Sequence, residues 1–438
     1  AYQNDTLLEN SAAEAAMNTF SINSDRLWDS LMEMAKIGAT EKGGCRRLAL
    51  TDLDKQGRDL YVAWAKEAGC TVKVDQVGNI ICTRPGENND LPPVGTGSHL
   101  DTQPSGGKFD GVFGVLAGLE VIRSMNDHSI KTKHPIEISV WTNEEGSRFA
   151  PAMMGSGVVS GRFGLQEILD KVDVEGLRFG DELERIGYAG DTPVTGRKFH
   201  AFFETHIEQG PYLEAEEKQI GVVTGGQGQR WFDVVLTGRE SHAGTTPMHL
   251  RKDALVATSQ LVLKVEEIAK SHKPGCGTVG YMQVLPNSRN TIPGEISMSV
   301  DLRHPVDEEL TAMDEALKAA VAEIIADTGV DIALKPIWYY APIPFDDNCI
   351  EAVRNATIDL GYSYMDIIAG AGHDACYVSD FAPASMIFTP CLNGISHNEI
   401  ESTTQEECEA GCSVLLNAMT RIAGLVSADA SVGEAVGA

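Results

Sequence analysis

Residues 136–149 read IEISVWTNEEGSRF. The opening IEISVWT is a short apolar run of the kind that forms a buried strand, and it closes on two adjacent glutamates, Glu144 and Glu145. Carboxylates at the end of a hydrophobic strand are costly to bury unless something uses their charge. Neighbouring residues on a strand face opposite ways, so the pair would be aimed at different partners. In isolation such a pair is a solvated strand end, and the rest of the chain decides between the two readings.

Outward from this strand the pattern is of alternating elements. Amphipathic helices are expected near 24–37 and 51–69, followed by short strands in TVKVDQVGNIICTRP and PVGTGSHLD and a helix at about 111–126. Alternation of this kind predicts an α/β domain with a mixed, mostly parallel sheet flanked by helices. It returns near the end, with IEAVRNATIDLG as a helix and ASMIFTP as a buried strand. Between the two halves the order changes to strand 231–238, helix 252–271, strands TVGYMQVLP and EISMSVDLR, helix 308–329 and strand DIALKPIWYY. That β-α-β-β-α-β order is the ferredoxin-like unit, and it predicts an inserted lid or dimerisation domain. The expected boundaries are 1–226 and 343–438 for the two segments of the catalytic domain and 227–342 for the insert. The glycine-rich TGGQGQ (224–229) lacks the Lys-Ser/Thr ending of a phosphate loop and reads as a hinge, with a second near APIPF (341–345).

A length of 438 residues exceeds what one hydrophobic core normally supports, in keeping with two domains. The apolar share of 42% and charged share of 22% are those of a soluble globular protein. A formal charge of −28 argues against nucleic-acid or anionic-membrane partners, which need basic surfaces. The cysteines, at 45, 70, 82, 276, 349, 376, 391, 408 and 412, form no Cys-x-x-Cys pair and suit a reducing compartment. The first twenty residues carry no basic n-region and no apolar core, so no signal peptide is expected. No apolar run reaches membrane-spanning length. Cytoplasmic localisation follows as the expectation, with the final SADASVGEAVGA read as a frayed tail.

The chemistry lies in a set of histidines and carboxylates beside glycines and strand ends. His99 and Asp101 lie in GSHLDTQ, where spacing i, i+2 on a strand would put both on one face and let the carboxylate orient the imidazole. Asp110 follows in GGKFDGVFG, where by itself it reads as a helix N-cap. His206 lies in FFETHIEQG between Glu204 and Glu208, His242 in GRESHAGTTP, His373 in AGAGHDA and His397 in LNGISHNEIES. Each of these histidines alone is more often structural than a ligand. Their convergence at strand ends, where α/β folds build sites, favours a metal. Imidazole and carboxylate without thiolate suit Zn, Mn, Co or Ni in a reactive site. Arg303 ends EISMSVDLR on its polar face, opposite Ile296, Met298, Val300 and Leu302. It is either a partner of Asp301 or a bidentate clamp for a carboxylate.

Taken in order, GSHLDTQPSGGKFDG, NEEGSRF, ETHIEQG, SHAGTTPM, RNTIPGE, DLRH, GAGHDA and GISHN resemble the hydantoinase/carbamoylase branch of the dinuclear-metal M20-type amidohydrolases and peptidases, from about residue 22 to 423. That branch includes N-carbamoyl-L-amino acid hydrolases, β-ureidopropionases and allantoate amidohydrolases. The resemblance implies two divalent ions per subunit, zinc foremost. His99 and His206 would bind one, Glu145 and His397 the other, and Asp110 would bridge them. It further implies Glu144 as general base, Asp101 as the group orienting His99, and His242 as a stabiliser of the developing oxyanion. Gln209, His242, Asn290, Arg303 and His373 would contact substrate. Many peptidases of the superfamily carry an acidic residue where this chain has His206, so histidine there favours the carbamoylase branch.

The expected function is therefore hydrolysis of the linear ureido C–N bond of an N-carbamoyl amino acid, of L-α or β-alanine type, to the amino acid, CO2 and ammonia. Allantoate is the alternative substrate, a di-zinc dipeptidase or aminopeptidase stands behind it, and a non-catalytic small-molecule binder stands last. A small carboxylate substrate, domain closure on binding and a homodimer through the insert complete the expectation.

Overall fold

The structure is a computed structural model that describes residues 19–429. The segment up to residue 18, for which no signal peptide is expected, and the tail from residue 430 lie outside the described residues.

In the N-terminal segment, helix α1 (Ser24–Ala35) is started by Asn23, whose side chain accepts from the Arg26 amide, and buries Leu27, Leu31, Met34 and Ala35 along one face. Helix α2 (Asp52–Glu67) is capped by Thr51 and leads to β1 (Thr71–Val74), β2 (Ile80–Arg84) and β3 (Val94–Ser98). Helix α3 (Val112–Asp127) is buried almost all round, from Val112 through Met125. Its apolar VFGVLAGLEVI stretch suits a helix enclosed on all sides. Strand β4 (Ile136–Val140) follows. Three short helices then appear that the hydrophobic pattern did not announce: α4 (Met154–Val159), α5 (Leu165–Leu169) and α6 (Phe179–Arg185). Helices of five to seven residues are too short to establish a 3.6-residue period. Strands β5 (Ala201–Ile207) and β6 (Ile220–Gly226) close the segment.

The middle of the chain runs β7 (Gly228–Thr237), β8 (Ser241–His242), α7 (Ala254–Ser271), β9 (Cys276–Thr278), β10 (Met282–Leu285), β11 (Thr291–Ile292), β12 (Glu295–His304), α8 (Asp307–Thr328) and β13 (Asp331–Tyr340). The C-terminal segment adds α9 (Asp347–Asp359), β14 (Tyr364–Ala369), α10 (Asp374–Val378), β15 (Ala384–Thr389) and α11 (Gln405–Ala423). The chain divides into two compact units, one of Ala1–Thr224 with Phe345–Ala438 and one of Gly225–Pro344.

The first unit holds all but the last strand of a nine-stranded sheet in the order β1-β2-β4-β3-β5-β15-β6 and then the two-residue strand Ile343–Pro344, with β14 also pairing β6. Its centre, β4-β3-β5-β15, is parallel, and its flanks are antiparallel. The mostly parallel sheet of the sequence reading thus describes the centre. The parallel ladders leave the carboxyl ends nearly level, with Ser98 opposite Val140 and His206 opposite Phe388.

The second unit has a five-stranded sheet in the order β9-β12-β7-β13, with β10 also on β12, and a separate β8–β11 ribbon. Alternation along β12 buries Ile296, Met298, Val300 and Leu302, which join Phe232, Val234, Leu261, Val265, Leu310 and Leu317 in a core of its own. The glycine-rich segment 224–229 is extended strand on both sides of Gln227 and not a loop.

Candidate metal centre

The parallel strands present their functional side chains at their carboxyl ends. His99 directly follows the last residue of β3, His206 is the penultimate residue of β5, and Gln209 lies two beyond that strand. Glu144 and Glu145 follow β4 after a turn, and His397 lies on the loop after β15. Asp110 sits between β3 and α3, next to Gly111, which has φ 71° and whose Cβ, if present, would lie 2.3 Å from the His99 ring. Only glycine fits there. Gly111 is also the N-cap of α3, so Asp110 is not spent on capping.

Its carboxylate is instead the meeting point of three imidazoles. Asp110 Oδ1 lies 3.2 Å from His206 Nε2 and 3.6 Å from His99 Nε2, while Oδ2 lies 3.3 Å from His397 Nε2. His397 Nε2 is also 3.4 Å from Glu145 Oε2. Two groups of potential ligands result, His99–Asp110–His206 and Asp110–Glu145–His397, each with its ligand atoms within 4.8 Å of one another. A third, Glu204–His206–His373, meets the same distance. There, however, both Glu204 oxygens already hold donors, from Ser98 Oγ and the Ala375 amide, each at 2.8 Å.

The hydrogen bonds of the two buried histidines indicate what the site needs. His99 Nδ1 lies 2.8 Å from the Asp101 carbonyl and His206 Nδ1 lies 2.8 Å from the Ile207 carbonyl. A carbonyl can only accept, so each Nδ1 carries a proton and each ring turns its Nε2 toward Asp110. A lone pair facing a carboxylate oxygen at such distances needs a proton or a cation between them. Glu145 Oε1 is buried without a hydrogen-bond partner. The donor set therefore fits a divalent ion.

The electrostatics carry the same signature. Burial works to raise Asp110, but the hydrogen bonds of His206, His397 and His99 hold it well below the usual carboxylate range. Burial opposes charge on His99, yet Glu144, Asp110, Asp101 and Glu145 outweigh it and raise its pKa well above the ordinary value. Hydrogen bonds to Asp110 and Glu145 raise His397 to about 10. Burial drives Glu144 well above the usual glutamate value, with nearby Asp374 adding to the effect and His99 opposing it.

Two expectations about local geometry are corrected. The Asp101 carboxylate does not hold His99, from whose Nδ1 it lies 3.8 Å away; the Asp101 backbone carbonyl does. The i, i+2 rule fails because β3 ends at Ser98, before either residue. The carboxylate accepts instead from the amides of Glu144, at 3.2 Å, and Glu145, at 3.1 Å. The two glutamates also lie beyond β4, so strand alternation does not separate them. Asn143, at φ 52°, turns the chain before them, and the two amide bonds to Asp101 fix their aim. Glu144 Oε2 reaches 3.3 Å from His99 Nε2, while Glu145 Oε2 accepts from Gln103 Nε2 at 2.8 Å.

Gln209, at φ 60°, donates from Nε2 to Asp110 Oδ2 at 3.0 Å and to Ser396 Oγ at 2.9 Å. His373 is buried against His206, ring centroids 4.5 Å apart, with Nε2 unpartnered. Burial and the neighbouring His206 hold its pKa well below the ordinary value. The sequence reading missed Gln103, Ser396 and Glu401, polar residues in irregular segments whose contacts run to distant parts of the chain.

His242, Asn290 and Arg303 belong to the second unit. His242 is exposed, and its Nδ1 accepts from the amides of Gly244 at 2.9 Å and Thr245 at 3.3 Å, which places the ring proton on Nε2. Asn290 is alongside it, its carbonyl accepting from the Ala243 amide at 3.0 Å. Arg303 is paired with Asp301 through Nε, at 3.1 Å, and Nη2, at 2.8 Å.

Fold and site together define a two-unit α/β protein with a candidate divalent-metal centre at the carboxyl ends of its parallel strands. Residues 95–421 match Peptidase family M20/M25/M40, and the chain belongs to that family. It is 50% identical over 406 residues to the N-carbamoyl-L-amino-acid amidohydrolase of Rhizobium meliloti, covering 92% of this chain and 98% of that protein. The allantoate amidohydrolase of Bacillus subtilis (strain 168) is 31% identical over 404 residues, covering 90% and 97%. The crystal structure of an amidase of the hydantoinase/carbamoylase family from Burkholderia multivorans is 60% identical, with a TM-score of 0.88 over 92% of this chain and 98% of that one.

Metal uptake will depend on pH in a defined direction. With His397 raised to about 10, its ring is protonated at neutral pH in the metal-free protein, and an entering ion must displace that proton. Affinity should rise with pH toward about 10 and fall on acidification. Calorimetric titration of divalent ion into stripped protein, in buffers of different ionisation enthalpy, should register proton release. Uptake without proton release would contradict the geometry.

Proposed function

We propose that the protein is a metal-dependent amidohydrolase that cleaves the linear ureido C–N bond of N-carbamoyl amino acids, giving the amino acid, CO2 and ammonia. The observation that carries this reading is the doubled ligand group around one carboxylate, Asp110, with an unspent glutamate beside it. The 50% identity to an N-carbamoyl-L-amino-acid amidohydrolase supports the substrate class. Allantoate remains the second reading, supported by the 31% identical allantoate amidohydrolase.

In this proposal His99, His206 and Asp110 hold one ion and Asp110, Glu145 and His397 a second, zinc foremost, with manganese, cobalt and nickel also suited to the donors. When bound, such ions polarise a carbonyl oxygen and acidify water. The chain's own groups supply the rest. Glu144, buried and outside both ligand groups, takes a proton from the attacking water and delivers it to the leaving nitrogen, which could not depart as an amide anion. Asp101 aims Glu144 and Glu145 through their amides. His242, with its proton on Nε2, donates to the developing oxyanion. Gln209, His373 and Asn290 contact the substrate, and Arg303 binds its carboxylate. The half-buried Arg303–Asp301 pair keeps enough solvent contact to give way to an anionic ligand.

We further propose a homodimer through the second unit. Among the described residues strand β13 pairs only with β7 in its sheet, and its ten-residue edge carries Ile337 and Tyr339, 45% and 51% exposed. Among the described residues no helix is long and apolar enough to cross a membrane. None of the nine cysteines forms a disulfide and eight of them are buried, which supports a reducing, cytoplasmic location.

A hydrolysis screen over N-carbamoyl-L-amino acids, N-carbamoyl-β-alanine, allantoate and dipeptides tests the reading. Turnover of ureido acids is expected, and turnover of dipeptides alone would refute it. Glu144→Gln should keep its metal and bind substrate while kcat falls by about 10²–10⁴-fold; unchanged kcat would remove Glu144 from proton transfer. Arg303→Ala should raise KM for carboxylate substrates by at least about tenfold, as for loss of a charge-assisted bidentate contact. An unchanged KM would remove the clamp.

A further inference from the structure

Glu401 has no part in the chemistry above, yet it is only 2% exposed and touches both halves of the centre. Its Oε1 accepts from the amides of Phe109, at 3.2 Å, and Asp110, at 3.0 Å, and its Oε2 accepts from Ser396 Oγ at 2.7 Å. Ser396 Oγ in turn accepts from Gln209 Nε2 at 2.9 Å, and Gln209 reaches back to Asp110 Oδ2 at 3.0 Å. The contacts form a closed ring, from the Asp110 backbone through Glu401, Ser396 and Gln209 to the Asp110 carboxylate. The chain around Asp110 is wrapped onto Glu401 so closely that a Cβ on Gly107 would lie 2.2 Å from Glu401 Oε1. That contact accounts for the second glycine of GGKFDG.

The ring bears unequally on the two ligand groups. His99 and His206 are buried, next to or within strands, and each is held through Nδ1 by a backbone carbonyl. His397 has neither support in kind. It lies on a loop, at φ 52°, with its side chain 54% exposed, and the residue before it is the one Glu401 grips. We propose that Glu401 is a positioning residue that ties the His397 loop to Asp110 and so sets the geometry of the Asp110–Glu145–His397 ion site. The inference rests on the two-ion reading given above.

Glu401→Ala leaves two buried amides without an acceptor and releases Ser396, so the loop loses its tie to Asp110. The His99–Asp110–His206 group keeps its own supports. Glu401→Gln retains an acceptor for the two amides, and its NH2 can donate to Ser396 Oγ. Ser396→Ala severs only the loop side of the ring and leaves both amides satisfied.

The test is calorimetric titration of Zn²⁺ into the metal-stripped full-length chain, with bound metal counted by elemental analysis and thermal unfolding of the metal-free protein run alongside. Wild type should take two ions per chain. In Glu401→Ala and Ser396→Ala the first ion should bind as in wild type and the second about 10–100-fold more weakly, the usual effect of losing an outer hydrogen-bond partner at a metal site. Glu401→Gln should restore the second ion. Two ions bound as tightly in both alanine variants as in wild type, whatever happens to the melting temperature, would show Glu401 to be structural and overturn the inference. Equal weakening of both ions in Ser396→Ala would overturn it as well. A wild-type chain that takes only one ion would overturn the two-ion reading itself, which distinguishes that failure from the failure of Glu401.

Discussion

Three imidazole nitrogens lie within 3.6 Å of the single buried carboxylate of Asp110. A carboxylate 4% exposed is tolerated only when positive charge or donors compensate it. Much of the local structure is arranged to supply that compensation. Parallel strands β3 and β5 end level with their neighbours and bring His99 and His206 to one oxygen, and the loop after β15 brings His397 to the other. Glycine at 111 lets the chain turn against the His99 ring, and Gln209 adopts a left-handed backbone to place its amide on Asp110. A non-glycine residue at positive φ is a strained arrangement that proteins concentrate at functional sites, and Asn143, Gln209 and His397 all have it here.

Much of the fold was legible in the sequence because its elements bury one face or two in regular repeats. Alternation along EISMSVDLRH places Ile296, Met298, Val300 and Leu302 in the core of the second unit, and the β-α-β-β-α-β order of that unit follows from such patterns. The segment from 154 to 185 was not legible, since helices of five to seven residues leave no period to detect. The site was legible in its residue types and only partly in its geometry. His99, Asp110, Glu145, His206 and His397 are brought together, but the pairing of oxygens and nitrogens among them comes from the turns, which spacing does not encode. Asp101 illustrates the limit. Its spacing from His99 suggested a carboxylate–imidazole bond, whereas the strand has ended by Ser98 and the carboxylate instead serves the Glu144 and Glu145 amides.

The adjacent glutamates of NEEGSRF thus owe their different duties to one shared partner. Asp101 takes both their amides, the turn at Asn143 aims them apart, and Gln103 holds Glu145 Oε2, which faces His397, while Glu144 points to His99. The residues that do this positioning (Asp101, Gln103, Ser396, Gln209 and Glu401) reach across long intervals of sequence, which is why no local motif announces them. They are also the features that separate a site able to hold ions in a defined geometry from a mere convergence of acids and histidines.

The account depends on Asp110 being shared by two cation positions, and the most direct measurement is anomalous diffraction from crystals of the full chain grown with Zn²⁺ or Mn²⁺. Two anomalous peaks are predicted, one on each oxygen of Asp110, the first among His99 and His206 and the second among Glu145 and His397. A single peak, or a peak seated among Glu204, His206 and His373, would contradict it.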